Sequence, residues 1–179
     1  ELVSSDVVLV IVVATALVFD FTNGFHDTAN AIATSVSTRA MSPRTAVLLS
    51  AVLNFAGAFI SLKVAATVAQ GIVESDDVTT TVVFAGLIGA IAWNLATWYF
   101  GLPSSSSHAL IGGIVGAVIA KSGTGPLIGA GIGKTVLFIF VSPVLGFLLG
   151  ALLMVIVANV FRRVSPLRVD NLFRRLQLV

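Results

Sequence analysis

The sequence predicts an all-α polytopic membrane protein, built as one inverted-topology repeat with a re-entrant helical hairpin. Three observations carry this. Hydrophobic residues make up 57% of the 179 and charged residues only 10%, with a mean hydropathy of +1.06; a soluble domain carries about 25% charged residues. Apolar runs of spanning length recur along the chain. Two polar islands, 24–31 and 103–108, interrupt these runs, where a bilayer core makes an unsatisfied polar group cost several kcal/mol. The sequence has no cysteine, which excludes disulfides and thiolate metal sites.

The first apolar run, about 6–37, reads as a broken helix interrupted at Gly24-Phe25-His26-Asp27-Thr28-Ala29-Asn30-Ala31. A basic loop with Arg39 and Arg44 follows, and its Pro43 suits a helix start. The second span is expected over 45–72, with Asn54 near its middle and Lys63 snorkelling. Glu74, Asp76 and Asp77 then make an acidic loop. The segment 79–120 reads as a re-entrant hairpin tipped by Pro103-Ser104-Ser105-Ser106-Ser107-His108. Its returning arm, Ala109 to Ala120, reaches about 18 Å against a hydrocarbon core of about 30 Å, too short to cross. Lys121 to Pro126 is a turn by composition. The last span is expected over 135–161, kinked at Pro143. Residues 162–179 form a basic amphipathic segment. The domain division is thus a transmembrane repeat, 1–161, and a cytoplasmic segment, 162–179.

Charge orients these elements. Five of the seven arginines lie in the last eighteen residues, and the positive-inside rule places them in the cytoplasm with Arg39 and Arg44. The acidic loop is then outside, as is Lys121. Three crossings plus one hairpin is an odd count, the parity of an inverted-repeat transporter. No second copy of either island occurs, so the chain, starting at Glu1, reads as one repeat of a larger protein or a half that must pair. The arginine-rich tail suits membrane lipid headgroups better than nucleic acid.

The islands carry the chemistry. Asp27 and Asn30, three apart, share a helix face. A carboxylate and an amide oxygen are hard ligands for Na⁺ or a divalent metal. Asp27 also suits proton carriage, and equally a helix N-cap; these readings stay open. Asp20 is a second acidic group near the site or an interfacial residue. In the second island, Ser104, Ser105, Ser106 and Ser107 precede a helix, and hydroxyls with free N–H groups at a helix start make an oxyanion nest. Alternatively the serines are a polar loop with an N-cap. Gly112, Gly113 and Gly116 allow close backbone approach. Asn54 and Asn94 are expected to hydrogen-bond between helices, and Trp93, Trp98 and Tyr99 to anchor at the interface. Ser107 beside His108 does not indicate a hydrolase, because triads are set by geometry; no enzymatic activity is expected.

Gly24-Phe25-His26-Asp27-Thr28-Ala29-Asn30-Ala31, together with Leu102-Pro103-Ser104-Ser105-Ser106-Ser107-His108-Ala109-Leu110-Ile111-Gly112-Gly113, resembles the inorganic phosphate transporter (PiT) family, most of all the N-terminal half of bacterial low-affinity phosphate carriers. The likeness runs to the closing Leu172-Phe173-Arg174-Arg175-Leu176-Gln177. The resemblance implies two inverted repeats, phosphate held between two hairpin tips, and coupling to Na⁺ or H⁺. It implies a multi-pass location in the bacterial inner membrane and a second repeat, or a homodimer, as partner. Asp27 and Asn30 match the family's acidic and amide positions, and Ser105, Ser106 and Ser107 its hairpin hydroxyls; Ser104 and Asn30 join the expected phosphate-binding set. His26 departs from the family's usual Asn. An imidazole is a poor Na⁺ ligand and a good proton carrier near neutral pH, which favours H⁺ coupling through His26 and Asp27, with Asp20 nearby. Neither island contains Arg or Lys, so phosphate charge would be met by dipoles, protons or a divalent metal carried with it; Asp27 and Asn30 are the candidate metal ligands.

Overall fold

A computed structural model describes residues 5–59 and 71–176. Among the described residues six α-helices follow in order: α1 Ser5–Ser37, α2 Pro43–Ala58, α3 Thr80–Tyr99, α4 Ser106–Ser122, α5 Gly129–Phe161 and α6 Pro166–Leu176. A short 3₁₀ turn, Ser75–Asp77, precedes α3. Of these described helices three, α1, α3 and α5, are long and apolar enough to cross a membrane.

The first helix corrects the expected break. α1 runs unbroken for 33 residues through Gly24. One glycine in a helix costs only about 1 kcal/mol. Two hydroxyls in or beside the island also bond back along the helix: Thr22 Oγ1 donates to the Phe19 carbonyl at 2.8 Å and Thr28 Oγ1 to that of Gly24. The island therefore decorates the helix instead of interrupting it. α1 closes at Arg39, whose φ of 58° is left-handed, while the amides of Ala40 and Met41 bond back to the Ser35 carbonyl. α2 begins at Pro43 as the sequence suggests, capped by Ser42 Oγ, which accepts from the Thr45 amide at 3.2 Å. The later part of the span expected over 45–72, with Lys63, lies outside the described residues.

α3 and α4 form an antiparallel helical pair. Its contact needs glycine: a Cβ on Gly113 would fall on the Gly86 carbonyl oxygen, and one on Gly86 would stand 2.9 Å from Ile114 Cγ1. Of the three glycines singled out in α4, only Gly113 makes this approach; Gly112 and Gly116 face open space. At the tip, Gly101 takes φ +64°, the Gly101 amide bonds the Trp98 carbonyl and the Leu102 amide that of Thr97 at 2.8 Å. This is the glycine-terminated helix ending known as the Schellman motif. The tip spans 100–105, so Ser106, Ser107 and His108 already belong to the first turn of α4.

The far ends of the pair are tied together. Ser122 Oγ donates to Asp77 Oδ1 at 2.9 Å and Lys121 Nζ to Thr79 Oγ1 at 3.3 Å. Val73 and Leu127 form an antiparallel bridge around which Val73, Val82 and Val118 are buried. At the opposite end of the molecule Arg174 Nη2 donates to the Arg39 carbonyl at 3.0 Å. The acidic loop thus sits with Lys121, and the basic loop with the basic tail, the grouping that the charge pattern requires.

α1 packs alongside the pair, parallel to α3. Phe19, Leu87 and Ala90 form the buried centre, with Val12, Ala16, Val83 and Leu110 around it. α5 is different. It starts at Gly129, six residues earlier than expected, contains Pro143 and buries no residue against the chain. α6 realises the amphipathic segment, with Phe173 stacked edge-on to Phe161 at 5.6 Å.

Candidate functional site

The two islands meet. Register brings them together: α1 and α3 run parallel with Phe19 against Leu87 and Ala90, so two turns further on His26 faces Thr97. The tip then delivers the start of α4 to the same level. Ser106 Oγ donates to Asp27 Oδ2 at 3.1 Å, across 79 residues of sequence. His26 Nδ1 lies 3.2 Å from Asp27 Oδ1, and His26 Nε2 lies 3.4 Å from Thr97 Oγ1. Thr97 Oγ1 in turn donates to the Trp93 carbonyl at 2.8 Å. A chain Ser106–Asp27–His26–Thr97 results. The His26 side chain is only 7% exposed while that of Asp27 is 44% exposed, so the carboxylate is the end open to solutes.

The four serines take four different positions. Ser104 Oγ accepts from Trp93 Nε1 at 2.9 Å, pinning the tip to α3. Ser105 is the N-cap of α4, its hydroxyl accepting from the His108 amide at 3.4 Å. Ser106 is 3% exposed and turned toward α1. Ser107 is exposed and lines, with Asn23 and Ser106, the polar end of an apolar cavity of ≈ 400 Å³. The N-cap expectation and the oxyanion-nest expectation therefore fall on different serines: Ser105 caps, while Ser106 and Ser107 flank uncapped helix N–H groups, to which the helix dipole adds positive potential.

A second cavity, ≈ 790 Å³, opens between α1 and α2, lined by Asp20, Asn23, Asp27, Thr28, Ser50 and Asn54 among others. The structure thus joins Asp20 to Asp27, seven residues apart on one face. Asn30 is not brought in: it is exposed and lines neither cavity. At 100° per residue it shares a side with Asp27, but it lies about a turn beyond Asp27 toward Ser37, past the level at which Ser106 meets α1. Among the described residues no cluster of three or more His, Asp or Glu groups could hold a metal. Asn54 hydrogen-bonds within its own helix, Nδ2 to the Ser50 carbonyl at 2.9 Å, not between helices as expected. Asn94, 1% exposed, has neither amide atom paired, and Asn23 Oδ1 is buried and unpaired too. Trp98 stacks edge-on against Phe25 at 5.4 Å and so ties α3 to α1, while Trp93 holds the tip.

Sequence reasoning did not single out Thr97, Asn23 or Ser50. Asn23 carried a usable signal, being four residues before Asp27 and so on its face. Thr97 carried none, because only the α1–α3 register brings it to His26.

Residues 23–177 match the model of the phosphate transporter family. A probable low-affinity inorganic phosphate transporter of Mycobacterium leprae is 52% identical over 171 residues, 95% of this chain and 41% of the relative. One from Bacillus subtilis is 47% identical over 175 residues, 97% of this chain and 53% of the relative. A solved structure described as the sodium-dependent phosphate transporter superposes with a TM-score of 0.82 at 30% identity, covering 89% of this chain and 42% of that one. The chain spans about half or less of the length of these relatives.

Proposed function

The chain belongs to the phosphate transporter family, a multi-pass integral protein of the plasma membrane, and from that premise we propose that it forms half of a proton-coupled phosphate carrier whose substrate cradle is the start of α4. The observation that carries this reading is the Ser106–Asp27 hydrogen bond. It joins the anion-attracting helix end to the one partly buried carboxylate of α1.

The donors and acceptors suggest how coupling works. Thr97 spends its hydroxyl proton on the Trp93 carbonyl, so toward His26 Nε2 it offers a lone pair and asks for an N–H. Asp27 and His26 Nδ1 then share one proton between them. With Asp27 ionised, Ser106 donates to it and has no proton left for a ligand, since a hydroxyl donates once. When a second proton binds Asp27 at Oδ2, with the shared proton on His26 Nδ1, the carboxylic acid donates toward Ser106 Oγ and Ser106 turns its own hydroxyl outward. A proton on Asp27 thereby releases a donor for a phosphate oxygen and removes a negative charge from its path. Ser107 and the free N–H groups of α4 supply further donors; Ser105 and Ser104 hold the tip's shape. Asn30 remains a phosphate ligand only if another segment carries it there.

The re-entrant reading of the hairpin rests on a length. The tip meets α1 at Asp27, about 15 Å short of the Ser37 end at about 1.5 Å per residue, roughly half the thickness of a bilayer core. The cradle would sit near midplane, completed by the remaining length of the carrier, a second repeat in inverted orientation.

A second reading, sodium coupling, is favoured by the relative described as sodium-dependent and by the oxygen-lined cavity of Asp20, Asn23, Asp27, Ser50 and Asn54. Carriage of phosphate as a neutral complex with a divalent metal is compatible with either. Phosphate uptake by the full-length carrier in proteoliposomes tests all three: proton coupling predicts accumulation driven by outside acidification without Na⁺, and undiminished when Mg²⁺ is chelated. Accumulation that needs a Na⁺ gradient and ignores pH would replace the proton by sodium; loss on chelation would assign the metal complex.

A further inference from the structure

All seven arginines of the chain lie at 39–44 and 162–175. All seven are exposed, and none has an ion-pair partner among the described residues. The structure gathers them at one end, where the Arg174 guanidinium bonds the Arg39 carbonyl. Of the acidic residues only Asp170 joins them. We propose that this end binds the headgroups of anionic phospholipids, with α6 lying in the headgroup layer as an interfacial helix.

The placement follows from α5. Its 33 residues bury nothing against the chain and end at Phe161, so an apolar span stops there and residue 162 meets the water boundary. α6 begins four residues later and is held at that level by the Phe161–Phe173 contact. Its own pattern completes the argument. At 100° per residue Val169, Leu172, Phe173 and Leu176 share one face. Val169 and Phe173 are half-buried toward α5, whereas Leu172 and Leu176 are 42% and 56% exposed. This uncovered apolar edge is flanked by Arg168 and Arg175 on the same helix. An apolar strip edged by guanidinium groups fits an acyl boundary with phosphodiesters above it, since arginine takes phosphate oxygens in bidentate pairs. Between α5 and α6 an open cleft of ≈ 600 Å³, lined by Val157, Phe161 and Phe173 with Arg162 and Asp170 among them, has room for the upper part of one lipid. The concentration of unpaired positive charge argues for an anionic lipid in particular. This proposal does not depend on the transport reading.

The test places the full chain in nanodiscs and measures retention of phosphatidylglycerol against phosphatidylcholine by native mass spectrometry. Phosphatidylglycerol should be preferred, and each of Arg162→Gln, Arg168→Gln and Arg175→Gln should weaken it about fivefold, with the Arg→Lys variants, which keep the charge and lose the bidentate pairing, falling between. A nitroxide on Leu172→Cys, in this cysteine-free chain, should report hydrocarbon-level oxygen contact when phosphatidylglycerol is present. Equal retention of the two lipids, or a preference unchanged in the triple Gln variant, would overturn the proposal and leave the arginines as orientation signals only. A label at Leu172 shielded from oxygen in either lipid would mean that protein covers this edge, and would overturn it too.

Discussion

α4 and α5 are both apolar helices, yet they behave oppositely. α4 is 17 residues long and carries the contacts that matter: Ser106 to Asp27, Gly113 onto Gly86, Val118 into a buried cluster. α5 is nearly twice as long, the most apolar stretch of the chain, and buries no residue. Hydrophobicity alone therefore says where a helix can live, not what it packs against. In lipid there is little hydrophobic drive between helices, so association rests on close backbone approach and on polar contacts. α4 has both, a glycine at the crossing and a serine aimed at a carboxylate. α5 has Pro143 and bulky aliphatic side chains, and its surface is left uncovered by the described residues.

The contrast can be broken most forcefully at Asp27. Asp27→Asn removes the titrating group while keeping its shape, and should abolish proton-driven phosphate accumulation; exchange of phosphate for phosphate should survive. Retained accumulation against a gradient would remove Asp27 from coupling. Next comes the crossing. Gly113→Val puts a branched side chain on the Gly86 carbonyl, and overpacking of this kind costs about 1–3 kcal/mol or more. The variant should lose hairpin packing, read as a lower unfolding temperature and loss of uptake, whereas Gly116→Val, facing open space, should do neither. A smaller effect is expected at the cradle. Ser106→Ala with Ser107→Ala removes two donors at about 1–3 kcal/mol each, a loss of about thirtyfold or more in apparent phosphate affinity. Wild-type affinity in a well-inserted double variant would move the cradle elsewhere. Least affected should be α5: Leu148→Ala or Leu152→Ala, both exposed, should shift the unfolding of this chain by no more than about 0.5 kcal/mol. A large destabilisation there would mean that α5 packs in a way the comparison denies.

The sequence reveals the all-helical membrane class and both islands because each rests on local quantities, the hydropathy of a run or the polarity of a short segment. The start of α2 at Pro43 and the turn after Lys121 are legible for the same reason. The continuity of α1 is not, because Gly24 and its polar neighbours look like a break until Thr22 and Thr28 are seen bonding back along their own helix. Nor is the division of labour among four identical serines. It is decided by where the Schellman ending at Gly101 releases the chain, which makes Ser105 the cap and turns Ser106 toward α1. Thr97 and Asn94 lie further from reach still. Their roles depend on the register of α1 against α3, a long-range packing outcome set by Phe19, Leu87 and Ala90, and periodicity within either helix carries no trace of it. Asn30 shows the converse. Its spacing from Asp27 makes it a natural partner, yet it lies a turn beyond the contact, exposed and lining neither cavity.

The central claim is that a proton on Asp27 frees Ser106 to bind phosphate. The measurement is apparent phosphate affinity against pH for the full-length carrier and its Ser106→Ala variant, side by side, so that the titration of phosphate itself is common to both. The account predicts that affinity rises as pH falls in the unmodified carrier, and that Ser106→Ala is weaker and loses the part of this dependence that exceeds phosphate's own. A Ser106→Ala variant with the full pH dependence of the unmodified carrier would contradict it.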